Sequence, residues 1–493
     1  MIRKSSLLAG CAALLLLPQA APAETLNEAL ESAYRNNPTM TAQRASVRVA
    51  DEDVLLARSA GLPTLEGTAT YQENVLQGDP PPGLFVSDPD RQVVGGLNAT
   101  VPILTFGAVK NSVSAAESRV EASRMGLRGT EAELFTAVAG AFMDVLRDEA
   151  VVQLNQRNAE VMRYTLRETS ERQRAGNRGP TDVAQAEARV ALADSQVETA
   201  QAKLVASREA YIRLVGHAPG RLSSPPPLPM MPATPQEAVA IALEDNPGLL
   251  AARAEQHAAG FDVEAADAGL LPRINGIGGL NYYDYLGSLD PGTGPHNGEE
   301  GTTAFLGLEL RVPIFMGGRL SSQLRQAQAQ HSVTIEQTLD VERGVVADVR
   351  SAFATWSAAE RVIQSAQRGV DANTKVVAGL RAETTVGFRP LLDLLNAEQE
   401  LLNAEVTLVT ARRDAYVAGF ELLAAMGRAE ARDLNFDANM LYDPTINYER
   451  VLDLTIQLDR DPDPTAQGTS TVDTSPQDAT VAPSSQPPVP PAN

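Results

Sequence analysis

The sequence has one cysteine in 493 residues, Cys11, and it lies in the leader. Aromatics make up only 4 % of the chain, and 41 Lys and Arg stand against 62 Asp and Glu. Histidine is sparse and scattered (His217, His257, His296, His331), with no HExxH pattern. After the N-terminus no apolar run approaches the roughly 18 residues that a spanning helix requires. Each shortage excludes something. Without further cysteine there are no disulfides and no thiol catalysis once the leader is cut. A net charge of −21 argues against nucleic acid, because phosphate neutralisation needs Lys and Arg. Few aromatics argue against a thick globular core and for thin, elongated packing on Ala, Leu and Val. The scattered histidines and the absence of a clustered carboxylate–His set leave metal and acid–base catalysis without support. Neither "VVGGLNAT" nor "NGIGGLNYY" forms a G-x-G-x-x-G turn leading into a helix, so no enzyme and no cofactor are expected.

The leader itself is legible. Arg3 and Lys4 precede an apolar stretch from Leu7 to Leu17, and Ala21-Pro22-Ala23 follow before Glu24. This is a secretory signal peptide, residues 1–23, with cleavage after Ala23. Leu8-Ala9-Gly10-Cys11 has the form of a lipoprotein box, but the apolar run continues past Cys11 and leaves too short a core before it. An exported chain without spanning helices is soluble or crosses a membrane by strands.

The rest is written twice. "LNEALESAYRNNP" (26–38) echoes "PQEAVAIALEDNP" (235–247): Ala29, Asn37 and Pro38 match Ala238, Asn246 and Pro247, each 209 positions on. From Pro102 and Pro313 onward the spacing becomes 211, through Gly107 and Gly318, Gly176 and Gly387, Asp182 and Asp393, to Gly216 and Gly427. Such a fixed spacing predicts a tandem duplication, with repeats at 24–233 and 234–441.

Each repeat has one order of elements. A helical run (25–60 and 235–268) ends at Gly-Leu-Pro or Gly-Leu-Leu-Pro, because Pro disfavours helix in the residue before it. Two strands follow with period-two alternation: Ala304, Leu306, Leu308, Leu310 and Val312 share one face, Thr303, Phe305, Gly307, Glu309 and Arg311 the other. Pro313 is expected to end its ladder, and Gly317-Gly318 to turn the backbone into helix. Loops rich in Pro, Gly and Asp (78–90 and 287–301) separate the strands. Tyr71, Tyr282, Tyr283 and Tyr285 near the loops suit an interfacial girdle. Very long helical runs come next, 108–174 and 319–385, each about 100 Å at 1.5 Å per residue. Their apolar seams (Phe135, Val138, Phe142, Val145, Val152, and 211 later Val346, Val349, Phe353, Trp356, Ile363) are narrow, as in coiled coils. A tight turn leads to a returning helix, 181–215 and 391–426. From Tyr442 the chain is rich in Pro, Ser, Thr and Asp, and 442–493 is expected to be a disordered tail.

Four strands of about ten residues are long enough for a bilayer, yet an open sheet edge cannot face lipid. Two copies would give eight strands and a barrel filled by side chains, whereas three would give twelve and a lumen. The competing readings are an ordinary periplasmic sheet with bundled helices, and a pore-less periplasmic adaptor or coiled-coil scaffold.

The duplicated order, the "NNP" and "DNP" helix ends, the "VPIFMGGR" strand exit and "TTVGFRPLLDLLNAEQELLNAE" (384–405) together resemble the TolC family of outer-membrane efflux proteins, over about Leu26 to Arg428. The resemblance implies an α+β membrane protein built as a trimeric channel-tunnel. Each chain would give four β-strands to a 12-stranded outer-membrane barrel and long helices to a periplasmic α-helical barrel. It also implies a Gram-negative outer membrane as location, a periplasmic adaptor (membrane fusion) protein and an inner-membrane ABC or proton-driven transporter as partners, and no cofactor. The turns Gly176-Asn177-Arg178-Gly179-Pro180 and Gly387-Phe388-Arg389-Pro390 become the periplasmic tips that meet the adaptor. Thr181 and Asp182 match the family's first tip, Arg389 and Asp393 its second, where such residues gate the entrance. Thr384 stands where a tyrosine links across the gate in the best-known member, and Asn396 where a second aspartate lines the constriction.

Overall fold

The structure, a computed structural model, describes residues 23–76, 89–176, 179–288, 298–386, 388–434, 436–453 and 460–481. Two passes through one series of elements account for most of it. The first comprises α1 (Leu26–Asn36), α2 (Pro38–Ser59), β1 (Thr64–Glu73), β2 (Arg91–Leu104), α3 (Ala108–Arg174) and α4 (Pro180–Val215). The second comprises α5 (Pro235–Asp245), α6 (Pro247–Ala268), β3 (Arg273–Asp284), β4 (Glu300–Arg311), α7 (Arg319–Thr385) and α8 (Leu391–Ala425). A short α9 (Thr445–Asp453) follows.

The opening helical run of each pass is two helices rather than one. Pro38 pushes Asn37 out of the helical region, to φ −70° and ψ 127°. Asn37 then caps α2, accepting from Thr39 N–H at 2.8 Å, and its Nδ2 donates to the Leu214 carbonyl at 2.9 Å. Asn246 repeats both bonds, with Leu249 N–H at 3.1 Å and the Ala425 carbonyl at 2.9 Å. The 209 and 211 spacings of the sequence thus reappear as paired hydrogen bonds. Arg44 to the Tyr34 carbonyl and Arg253 to the Leu243 carbonyl, 2.9 and 3.1 Å, form another such pair.

The strands form one antiparallel sheet in the order β1-β2-β3-β4. The register aligns Leu65 with Ala99, Leu97 with Leu280, and Leu280 with Ala304, so apolar side chains occupy one face across all four strands. Leu306 and Leu308 on that face are 92 % and 75 % exposed. Glu66, Thr68, Asn98, Asn281, Thr303 and Glu309 occupy the opposite face. β4 stops at Arg311, before Pro313 as expected, but β2 runs through Pro102 to Leu104 with a register irregularity there. Beyond the strands both passes turn through two left-handed residues, Phe106 (φ 48°) and Gly107 (φ 91°), then Gly317 (φ 61°) and Gly318 (φ 78°).

α3 and α7 have equal length, 67 residues, and the bounds expected from the sequence. Their surroundings differ. α3 packs against α1, α2, α4, α6 and α8, and its seam Phe135, Val138, Phe142, Val145 and Val152 is fully buried. α7 touches α5, α6 and α8 and buries only Val345, Val349, Val377 and Thr384, so Val346, Phe353, Trp356 and Ile363 stay half-exposed.

The tail departs from expectation in its described parts. α9 buries Val451, and Asn447 donates to Asp51 at 2.7 Å. Farther on, Thr469 N–H bonds the Asn36 carbonyl at 3.1 Å, and Arg208 donates to the carbonyls of Asp478 and Thr480 at 2.7 and 3.0 Å. A segment poor in apolar side chains docks here through its main chain. Residues 454–459 and 482–493 lie outside the described residues.

Near α5, Glu131 is 8 % exposed and accepts from Ala431 N–H at 2.5 Å. Burial, with neighbouring Glu430 adding to it, pushes this carboxyl up to about 7. A folded value above the unfolded one means that the stabilisation is complete below the ordinary value of 4.5 and is lost as pH rises through about 7. Glu131→Gln keeps the acceptor and cannot ionise. It should flatten the fall in thermal stability across that window, a difference of up to about 3 kcal/mol by linkage. Asn246→Ala, which loses a cap and strands a carbonyl, should cost about 2 kcal/mol in denaturant titrations.

Candidate functional site

At the first tip, α3 ends on Ala175, Gly176 turns left-handed (φ 79°), and Gly179 precedes Pro180 at the start of α4. Pro suits that first helical position because the missing N–H would have no intrahelical acceptor. Asp182 follows in the first turn, where a carboxylate complements the helix dipole, and its N–H bonds the Gly179 carbonyl at 3.2 Å. Thr181 sits beside it, exposed. Asn177 and Arg178 lie outside the described residues, as does Gly387 of the second tip.

The second tip is held by its own charges. Arg389 donates to Glu383 at 3.0 Å across the turn and lies 3.8 Å from Asp393, one helical turn on. Phe388 N–H closes the turn on the Glu383 carbonyl at 3.0 Å, and the Phe388 ring is 84 % exposed. Pro390, extended at φ −60° and ψ 147°, starts α8. Arg389, Glu383 and Asp393 are all about half exposed, which holds each pair to roughly 1 kcal/mol or less. Links of that strength hold a shape and yield to a partner. Within the chain, Arg389 and Asp393 come together on one turn, while Thr181 and Asp182 stay on the other.

Contacts between the hairpins lie higher up. Leu391 and Leu395 pack with Ala159, Met162 and Ala193. Arg189 of α4 donates to Asn396 Oδ1 at 2.7 Å, so the residue standing in place of an expected aspartate is already engaged. Thr384 is buried with its hydroxyl unpaired, and Arg381 pairs with Glu398 at 2.5 Å. Sequence reasoning missed Arg189, Glu383, Arg381 and Glu398. Of these, only Glu383 carried a signal, as a carboxylate on the last turn before an arginine-bearing bend. Among the described residues no group of three His, Cys, Asp or Glu side chains could hold a metal, and no helix is long and apolar enough to cross a membrane.

A sheet with one leucine-rich face is joined by left-handed corners to two helices of 67 residues. The profile of the Outer membrane efflux protein family matches residues 29–217 and again 238–428, and the chain belongs to that family. It is an outer-membrane channel protein. The outer membrane efflux protein BepC of Brucella suis is 32 % identical over 440 residues, covering 89 % of this chain and 92 % of the relative. The outer membrane protein TolC of Vibrio cholerae is 27 % identical, covering 86 % and 95 %. Among solved structures, the Campylobacter jejuni CmeC outer membrane channel superposes with a TM-score of 0.72 at 17 % identity, over 87 % of this chain and 89 % of that one. VceC of Vibrio cholerae gives 0.69 at 21 %, over 82 % and 96 %.

Arg389→Ala removes both charge links of the second tip. The expected result is a resting conductance in planar bilayers several-fold above wild type, with thermal stability changed by less than about 1 kcal/mol.

Proposed function

We propose that three copies close a 12-stranded barrel in the outer membrane, continuous with a periplasmic tunnel of long helices. The observation that carries this reading is a sheet with an exposed leucine face whose outer edges on β1 and β4 pair with no strand among the described residues. Such edges cannot face lipid, and a further copy on each side satisfies them. The uncovered side of α7 supports the same neighbour lower down. The two family matches and the paired Asn37 and Asn246 bonds support a tandem duplication behind this symmetry.

The assembly is an exit duct for an inner-membrane ABC or proton-driven transporter, joined to it by a periplasmic adaptor. Relatives named for alkaline protease secretion in Pseudomonas aeruginosa and for fusaric acid resistance in Burkholderia cepacia support a duct of this kind and leave the cargo class open. The tips around Gly176–Pro180 and Gly387–Pro390 meet the adaptor, with Phe388 as an exposed anchor. Thr181, Asp182, Arg389 and Asp393 gate the entrance, and Asp393 from each copy lines it. The half-exposed Arg389 links support a latch that breaks on docking. A pore-less adaptor would leave the leucine face of the sheet without an environment.

Outer-membrane fractions should yield a heat-modifiable trimer that conducts in planar bilayers, and a monomeric periplasmic protein would refute the duct. Asp393→Ala should lower cation selectivity, read as a reversal-potential shift in a KCl gradient. An unchanged potential would remove Asp393 from the entrance.

A further inference from the structure

A cavity of about 710 Å³ lies where the sheet meets the long helices, between the strand ends and the first turns of α3 and α7. Three arginines line it, Arg273, Arg311 and Arg319, and each breaks or strains a local rule. Arg273 stands directly opposite Arg311 in the β3–β4 register, and like charges so placed destabilise a sheet. Arg319 is the first residue of α7, at the positive end of its dipole, where a cation is disfavoured. Neither long helix compensates: Gly107 and Gly318 offer no side-chain cap, and neither first turn holds an acidic residue.

The local counter-charge is insufficient. Glu309 pairs with Arg311 at 3.0 Å and also accepts from Asn275 at 3.3 Å. Among the described residues, Arg273 and Arg319 have no ion pair, and the Arg319 guanidinium donates to the Met316 sulfur at 3.5 Å. In a chain with 62 acidic residues, a cavity lined, among the described residues, by three arginines and no carboxylate suits an anion. Local rules fail together where function requires it.

The face tells where that anion comes from. Arg273 and Arg311 share the side of Asn275 and Glu309, opposite Leu306, Leu308 and Leu310. We infer that Arg273, Arg311 and Arg319 form an oxyanion-binding site on the lumen wall, which takes carboxylate or phosphate groups of anionic cargo passing from tunnel to barrel. Guanidinium groups suit this role because they bind such groups through paired N–H donors. The inference rests on the pore reading above, since the polar face becomes a lumen only in a closed barrel. Three copies place nine such groups around the passage, at the opposite end from the Asp393 constriction.

The test uses the full-length protein in planar bilayers of zwitterionic lipid, with inorganic phosphate replacing chloride at constant ionic strength. Wild-type single-channel current should fall with phosphate. In Arg273→Gln/Arg311→Gln/Arg319→Gln that fall should vanish, and the reversal potential in a KCl gradient should move to about twofold higher cation preference. The corresponding triple Lys variant should keep the wild-type reversal potential and weaken the phosphate effect. Arg319→Gln alone, at an exposed helix start, should give a partial shift and serves if the triple variant fails to assemble. A Gln variant that conducts with unchanged phosphate response and potential overturns the site and leaves the pore standing. An arginine-dependent effect seen only with phosphatidylglycerol in the bilayer overturns the cargo reading in favour of a lipid headgroup. No conductance from wild type overturns the pore and the site together.

Discussion

An antiparallel sheet with a leucine face cannot stop at four strands in lipid, because its two outer rows of N–H and C=O groups would have no partner. Most other features of the chain follow from that constraint. In the proposed assembly, further copies would pair those edges, give the sheet's polar face a wet interior and cover the exposed side of α7. The contrast between α3, buried by five helices, and α7, which buries few of its residues, is the helical counterpart of the strand edges on β1 and β4.

Much of this architecture was legible in the sequence. The bounds of α3 and α7 followed from an uninterrupted apolar seam, a glycine before each and a turn after each. The strand faces followed from alternation alone. The helix breaks at Asn37 and Asn246 did not, although "NNP" and "DNP" mark them, because each break is held by a carbonyl far along the chain, at Leu214 or Ala425. The docked tail was hidden for a related reason. Arg208 grips main-chain carbonyls, which leave no side-chain pattern to read.

At the tips the division is similar. Arg389 and Asp393 are one helical turn apart, so their proximity is a matter of counting. The Arg189–Asn396 bond depends on how far one hairpin is displaced along the other, which no local spacing records. Where an aspartate was expected, Asn396 instead ties α8 to α4. The two turns also differ in kind. The first is set by Gly and Pro backbone geometry, the second by weak exposed charges.

The left-handed corners at Phe106-Gly107 and Gly317-Gly318 bear on the width of the passage. A barrel's diameter depends on the tilt of its strands, and that tilt depends on strand number and stagger. A corner with fixed backbone angles ties strand tilt to helix direction, so one cannot change without the other. Adding or removing strands would therefore require new corners as well as new strands. In the proposed barrel these four φ angles would help set the calibre of the duct, one of them at Phe106, which lacks glycine's freedom there.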